Sequence, residues 1–302
     1  MQEGHPIDRR KGLIITASGV LILTPDTLLV RLAECEPYTL AALRGLGLGL
    51  SLLLAAWVMH RGQLRRALRS IPAAVFVGAA LSGFGNLLFV VALDLTHVAN
   101  VLIAIAVEPL FAALLSWLLL REKVTRATAL AMLGGFAGIA IVVGDSLGET
   151  RFWGDLAAIA CSLCFAYFFV VLRRAGDNDM TPAVGVSGLF SALLALPLVW
   201  ITGEGVATVL SLDALQWLWV VLMSLLVGPL AFALISAGPR YLPAAEVSLL
   251  ILLETVLGPL WVWLALGEEP TPAALVGGAV VLLTLALHSL WGLRQRGQVQ
   301  LN

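Results

Sequence analysis

The sequence predicts an all-α integral membrane protein of ten transmembrane helices, arranged as two inverted five-helix repeats. Three observations carry that reading. Hydrophobic residues are 60% of the 302 and charged ones 12%, with a mean hydropathy of +0.98, a composition foreign to a water-soluble domain of this size. Apolar runs of roughly 20 residues, the length a helix needs to cross the hydrocarbon, recur along the whole chain. The chain also repeats itself at an offset of 146: Ala99, Glu108, Trp117, Glu122 and Thr125 return as Ala245, Glu254, Trp263, Glu268 and Thr271. A repeat with an odd number of crossings inserts its second copy upside down. Inverted repeats are a construction of secondary transporters, with substrate held where the copies meet.

The spans follow in order. The first, 12–32, begins behind Arg9-Arg10-Lys11 and contains Pro25-Asp26. That basic flank imitates a signal peptide or a twin-arginine signal, but no small-x-small cleavage site follows, so the segment is expected to stay as a span. The second, 39–59, carries Arg44 and Gly45-x-x-x-Gly49; the third, 72–93, carries Ser82-Gly83 with Phe84, Asn86 and Phe89. Asn100 and Glu108-Pro109 fall in the fourth, 98–120, and Gly134-x-x-x-Gly138 in the fifth, 127–144. The halves join at about 144–154, giving repeats 1–148 and 149–302 within one membrane domain. The sixth, 153–172, holds Cys161-x-x-Cys164, Tyr167 and Phe168, and the seventh is 182–202. Gly228-Pro229 lies in the eighth, 214–237; Glu254 and Gly258-Pro259 lie in the ninth, 244–266; the tenth is 272–293, with Ala274-x-x-x-Gly278. Small residues at these spacings let helices approach closely, and packing within one chain suffices for them, so a monomer is expected.

Charge by loop sets the orientation. One side takes Arg9, Arg10, Lys11, Arg61, Arg65, Arg66, Arg69, Arg121, Lys123, Arg126, Arg173, Arg174, Arg240, Arg294 and Arg296, and the other only Arg31 and Arg151. Both termini are therefore expected in the cytoplasm. The far side instead carries Glu34, Glu36, Asp145, Glu149, Asp155, Glu204, Asp213, Glu268 and Glu269. The net charge of −1 says little, and no basic patch points to nucleic acid; the expected partners are membrane lipid and a small-molecule substrate.

Polar groups inside spans are the sharpest candidates for function, since a charged side chain at a helix centre costs about 3 kcal/mol or more without compensation. Glu108 lies roughly 15 Å from the outer end of its span and Glu254 equally far from the opposite face, both close to the midplane. Pro109 follows Glu108 directly, and Gly83, Gly228-Pro229 and Gly258-Pro259 occupy the third, eighth and ninth spans. Proline removes a helical hydrogen bond and disfavours helix in the preceding residue, so the third, fourth, eighth and ninth spans are all expected to be interrupted and to hinge there. Two roles fit the glutamates: capping freed backbone groups, or meeting substrate and exchanging a proton. Asp26 sits at a cavity mouth or caps a kink, and Arg44 either snorkels or pairs with Asp26 or an acidic loop. Phe84, Asn86, Phe89, Asn100, Tyr167 and Phe168 offer stacking surfaces beside amides, suited to a small amphipathic solute. Glu246 is a candidate gate, or a residue that favours its helix N-terminus. The C-x-x-C pair lies in an apolar run with no further ligand nearby and is read as packing; no metal site or cofactor motif occurs.

Glu108-Pro109, Glu122-Lys123-Val124-Thr125 and Gly134-Gly135 in the first half, with Glu254, Leu266-Gly267-Glu268, Thr271 and Gly277-Gly278 in the second, resemble the EamA-like branch of the drug/metabolite transporter superfamily. The resemblance covers nearly all of the chain. The stretch from Leu252-Leu253-Glu254-Thr255 to Gly258-Pro259-Leu260-Trp261 is most similar to the YddG-type exporters of aromatic amino acids. It implies an inner-membrane exporter whose cavity is lined mainly by the third, fourth, eighth and ninth helices, with the first and sixth contributing. Two departures stand out: Arg121 replaces a Gly frequent before the loop Glu, and Thr255 replaces the Pro that follows Glu108 in the first half.

Arg44 alone among Lys and Arg lies deep in a span, which disfavours phosphorylated cargo and favours a neutral, zwitterionic or cationic solute with an apolar part. Aromatic and other neutral amino acids fit, and a proton-coupled multidrug exporter is the alternative. No phosphate loop is present to use ATP, and no H-E-x-x-H or G-x-S-x-G motif lies within a span, so an intramembrane enzyme is the remote alternative and no catalytic residue is assigned.

Overall fold

The computed structural model describes residues 9–69, 71–121, 124–175, 181–203, 205–237, 241–242 and 244–299. Among them, ten helices are long and apolar enough to cross a membrane. In order these are Arg10–Leu32, Pro37–Met59, Ala73–Leu95, Val98–Leu120, Arg126–Asp145, Arg151–Leu172, Thr181–Thr202, Ala214–Ile235, Leu249–Leu266 and Pro272–Trp291. Short helices Leu64–Arg69 and Gly205–Ser211 lie in the connections, which leave no room for a soluble domain.

Two spans break and a third is distorted, each beside a proline. The first divides into Arg9–Leu23 and Asp26–Leu32 around Thr24-Pro25, a break the pattern of glycine and proline in the third, fourth, eighth and ninth spans did not announce. Pro25 deprives the Leu21 carbonyl of its helical donor, and the Thr24 hydroxyl donates to that same carbonyl at 3.0 Å. The fourth divides into Val98–Ala106 and Glu108–Leu120 at Val107, immediately before Glu108-Pro109. The eighth remains helical but widens into a π segment, Leu222–Val227, that ends against Gly228-Pro229; there the Gly228 N–H reaches back to the Met223 carbonyl.

Two expected interruptions are absent. The third helix runs unbroken from Ala73 to Leu95 through Gly83, and the ninth from Ala244 to Leu266 through Gly258-Pro259. The physical reason differs between them. Gly83 serves contact: a Cβ there would lie 2.6 Å from the Ser187 carbonyl and 2.8 Å from the Ser191 nitrogen of the seventh helix. Pro259 costs one hydrogen bond, to the Thr255 carbonyl, which packing on neighbouring helices tolerates.

Packing between the halves exchanges counterparts. The second helix packs on the seventh, its own repeat mate, and the fifth packs on the tenth. The third lies on the sixth and the eighth on the first, while the fourth and ninth meet each other. Small residues set the closest approaches. A Cβ on Gly45 would be 2.6 Å from the Gly188 carbonyl, and one on Gly277 2.6 Å from the Gly138 carbonyl, so backbones touch at both seams. Leu130 and Leu133 on the fifth helix and Leu283 and Leu287 on the tenth remain exposed, outward-facing stripes matched to hydrocarbon. Inside, Leu93, Val98, Val101, Val107, Leu110 and Val262 are fully buried, placing the core along the third, fourth and ninth helices.

Candidate functional site

Ionisable side chains collect where the broken first and fourth helices meet the ninth. Asp26 is the first residue after the break in the first span and is 2% exposed. Arg44 donates from Nη2 to its Oδ2 at 2.6 Å, resolving the choice between snorkelling and pairing in favour of the pair. The guanidinium also lies 4.9 Å from the centre of the Phe89 ring. Asp26 Oδ1 and the neighbouring Thr27 hydroxyl, both buried, have no hydrogen-bond partner among the described residues.

Glu108 starts the second segment of the fourth helix because Pro109 fits a first helical turn and breaks the ladder behind it. Glu254 sits mid-helix in the ninth. Both are half-buried. The two lie within electrostatic range of each other, and Glu254 within range of Asp26 and Arg44. Thus Asp26, Arg44, Glu108 and Glu254 form one neighbourhood. The break that presents Asp26 is braced by the ninth helix, whose Trp261 indole N–H donates to the Thr24 hydroxyl at 3.0 Å. Gly258 packs there too, against Leu102 and the Thr27 hydroxyl.

The other candidates divide. Asn86 borders a narrow space with Arg44 and Ser191, walled by Leu48 and Val90, and donates to the Ser82 carbonyl at 3.1 Å. Phe84 does not join it: positions two apart on a helix point to nearly opposite sides, and Phe84 shares an exposed stripe with Val77 and Leu81. Phe168 is buried in a separate apolar cluster with Val75, Ala79 and Ala183. Tyr167 beside it is half-buried. Cys161 is buried in the main core, Cys164 packs against Gly85, and both are free thiols. Of the residues expected to hinge, Pro109 and Gly228-Pro229 lie at a break and at the π segment, whereas Gly83, Gly258 and Pro259 lie in continuous helix. The side chain of Glu246 and the motif residues Glu122 and Lys123 lie outside the described residues.

Asn100 stands about 12 Å along the helix from Glu108, towards its start. It donates to Asp155 Oδ1 at 2.9 Å, and the Thr96 hydroxyl donates to the same oxygen at 2.7 Å. Next to this group, Glu268 accepts the Val98 backbone N–H at 2.7 Å, pairs with Arg31 at 3.0 Å and faces His97 at 3.5 Å. Arg31 donates further to the Thr96 carbonyl at 3.0 Å. Side chains from the first, fourth, sixth and ninth-to-tenth segments therefore join at this end. Nearby, a 2.6 Å hydrogen bond from Arg151 holds the carboxyl of Glu149 below its ordinary range. Sequence reasoning counted Asp155 only as a loop acid; Glu268 stood out as the repeat counterpart of Glu122 and as a motif residue, but not as a partner of Arg31 and Val98. Among the described residues no group of three or more His, Cys, Asp or Glu is placed to hold a metal ion.

Comparison with known proteins adds the decisive observation: the profile of the EamA-like transporter family matches twice, over residues 10–144 and 152–290. This chain belongs to the EamA-like transporter family. An uncharacterized transporter of Archaeoglobus fulgidus is 26% identical over 70% of this chain and 74% of its own. The uncharacterized transporter YwfM of Bacillus subtilis is 24% identical over 91% and 89%, and one from Synechocystis 24% over 86% and 77%. A solved crystal structure, 23% identical, superposes with a TM-score of 0.66 over 94% of this chain and 99% of its own, and shares the fold. As an EamA-like protein, the chain is a multi-pass membrane transporter.

Proposed function

We propose that this transporter exports small amphipathic metabolites, foremost aromatic and other neutral amino acids, across a bacterial inner membrane with both termini in the cytoplasm. The observation that carries the reading is the neighbourhood of Asp26, Arg44, Glu108 and Glu254, a mixed-sign polar patch set among apolar walls and contributed by four helices. A zwitterion with an apolar side chain complements such a patch. A phosphorylated solute does not, since it would need several buried cations. The similarity of the Glu254 to Trp261 stretch to YddG-type exporters supports the same substrate class. The chain works as a monomer by alternating access: solute binds near the midplane, and the halves rock about the breaks at Val107-Pro109 and Gly228-Pro229 while the Arg31–Glu268 and Asn100–Asp155 contacts release.

Uptake of radiolabelled amino acids into liposomes holding the purified protein, with and without a pH gradient and beside a panel of cationic drugs, tests this. Amino-acid entry is the expected result. Movement of drugs alone, and only against a proton gradient, would instead establish a multidrug exporter, the reading favoured by two glutamates that share one site. In that case Glu108→Gln, Glu254→Gln and Asp26→Asn should abolish the pH dependence.

A further inference from the structure

Arg44 is nine-tenths buried, and a buried ion pair is a poor source of stability, because apolar residues of equal volume do as well or better. Its pairing with Asp26 is also incomplete. A guanidinium offers five donors in a planar fork that fits both oxygens of a carboxylate, yet Arg44 engages only Oδ2, leaving Oδ1 buried with no partner among the described residues. The ring of Phe89 supports the guanidinium from one side. Asn86 and Ser191, whose amide and hydroxyl also hydrogen-bond carboxylates, border Arg44 with Leu48 and Val90 in a crevice too tight for a water molecule, so the helices must part for a carboxylate to enter. Asp26 itself begins a short helix of its own beyond the Thr24-Pro25 break.

We propose that Arg44 is the carboxylate-reading residue of the substrate site, and that Asp26 is an internal stand-in which occupies the guanidinium until the substrate carboxylate replaces it. The inference rests on the amino-acid reading above and deepens it. When the substrate carboxylate takes the fork, Asp26 is released beside Glu254, where an α-ammonium finds its counter-charge. Both charges of a zwitterion are then met, whereas a simple amine finds Arg44 still closed by Asp26.

The test is competition in liposomes holding the full-length protein. Uptake of labelled phenylalanine is challenged with unlabelled phenylalanine, with 3-phenylpropionate, which lacks the ammonium, and with phenethylamine, which lacks the carboxylate. Phenylpropionate is expected to compete and phenethylamine to compete at least tenfold less well than phenylalanine. Arg44→Gln should lower phenylalanine uptake at least tenfold and erase the discrimination, with Arg44→Lys intermediate. The paired Asp26→Asn, Arg44→Gln variant removes both buried charges, so its loss of discrimination cannot come from an orphaned carboxylate. Phenethylamine competing as well as phenylalanine would overturn the proposal and leave the amino-acid reading standing. Equal discrimination in a folded double variant would do the same. Failure of any amino acid to enter overturns the amino-acid reading, and this proposal with it.

Discussion

Glu268, in the connection between the ninth and tenth helices, caps the fourth helix of the other repeat by accepting the Val98 N–H at 2.7 Å. Its second carboxylate oxygen holds Arg31 of the first helix at 3.0 Å. One side chain therefore does two separable things: it satisfies a helix terminus and it ties the repeats together. Glu268→Gln keeps an acceptor for Val98 and loses the ion pair, while Glu268→Ala loses both. Hydrogen–deuterium exchange at the start of the fourth helix should stay slow in the Gln variant and accelerate in the Ala variant. Equal exchange in the two would mean that the cap contributes nothing.

The break in the first helix depends on Thr24, whose hydroxyl gives to Leu21 and receives from Trp261. Thr24→Val keeps the shape and strands both partners, at a cost of about 1–3 kcal/mol for buried groups left unpaired. Thermal unfolding in detergent should show that loss, with Thr24→Ser close to the parent.

At the seam of the second and seventh helices, a Cβ on Gly188 would come 2.7 Å from the Gly49 nitrogen and 2.9 Å from the Gly45 carbonyl, backbone atoms that cannot step aside. Gly188→Ala should lower the unfolding temperature by several degrees or prevent folding. Gly144 has nothing within 4 Å, and Gly144→Ala is expected to stabilise its helix by about 0.5–1 kcal/mol. Measuring the pair separates close contact from intrinsic propensity.

Arg121 ends the fourth helix at φ 55°, in the left-handed region, and its repeat counterpart Gly267 has φ 72°. The backbone asks for glycine at both positions and has it at one. Arg121→Gly should therefore stabilise the protein by about 1 kcal/mol, read by the same unfolding experiment. No change would show that the Arg121 side chain offsets the strain.

Much of this was legible in the chain itself. Span number and position follow from hydrophobic run length, and 98–120 coincides with the helix found there. The pairing of Gly45 and Gly49 with another helix follows from spacing, although nothing in the spacing names the seventh helix as the partner. Breaks were harder to read, because proline marks a missing hydrogen bond and not its consequence. At Pro25 and Pro109 the helix opens, whereas at Pro259 it runs on, a difference that proline alone does not announce. In the candidate site, Glu108, Glu254 and Asp26 were visible as carboxylates in apolar runs. The linkage of Asp155 to Thr96 and Asn100 was not, since it joins residues 55 and 59 apart through folding alone.

The pairing of repeat mates across the two seams governs how the protein must be made. The second helix emerges from the ribosome with its glycine groove complete, but the surface that fills it belongs to residues 181–202, still untranslated. At ordinary rates of synthesis that gap is on the order of ten seconds. During it the first half waits in the bilayer with a bare backbone stripe, and lipid, or a helper that shields such stripes, must hold the place until the second half arrives.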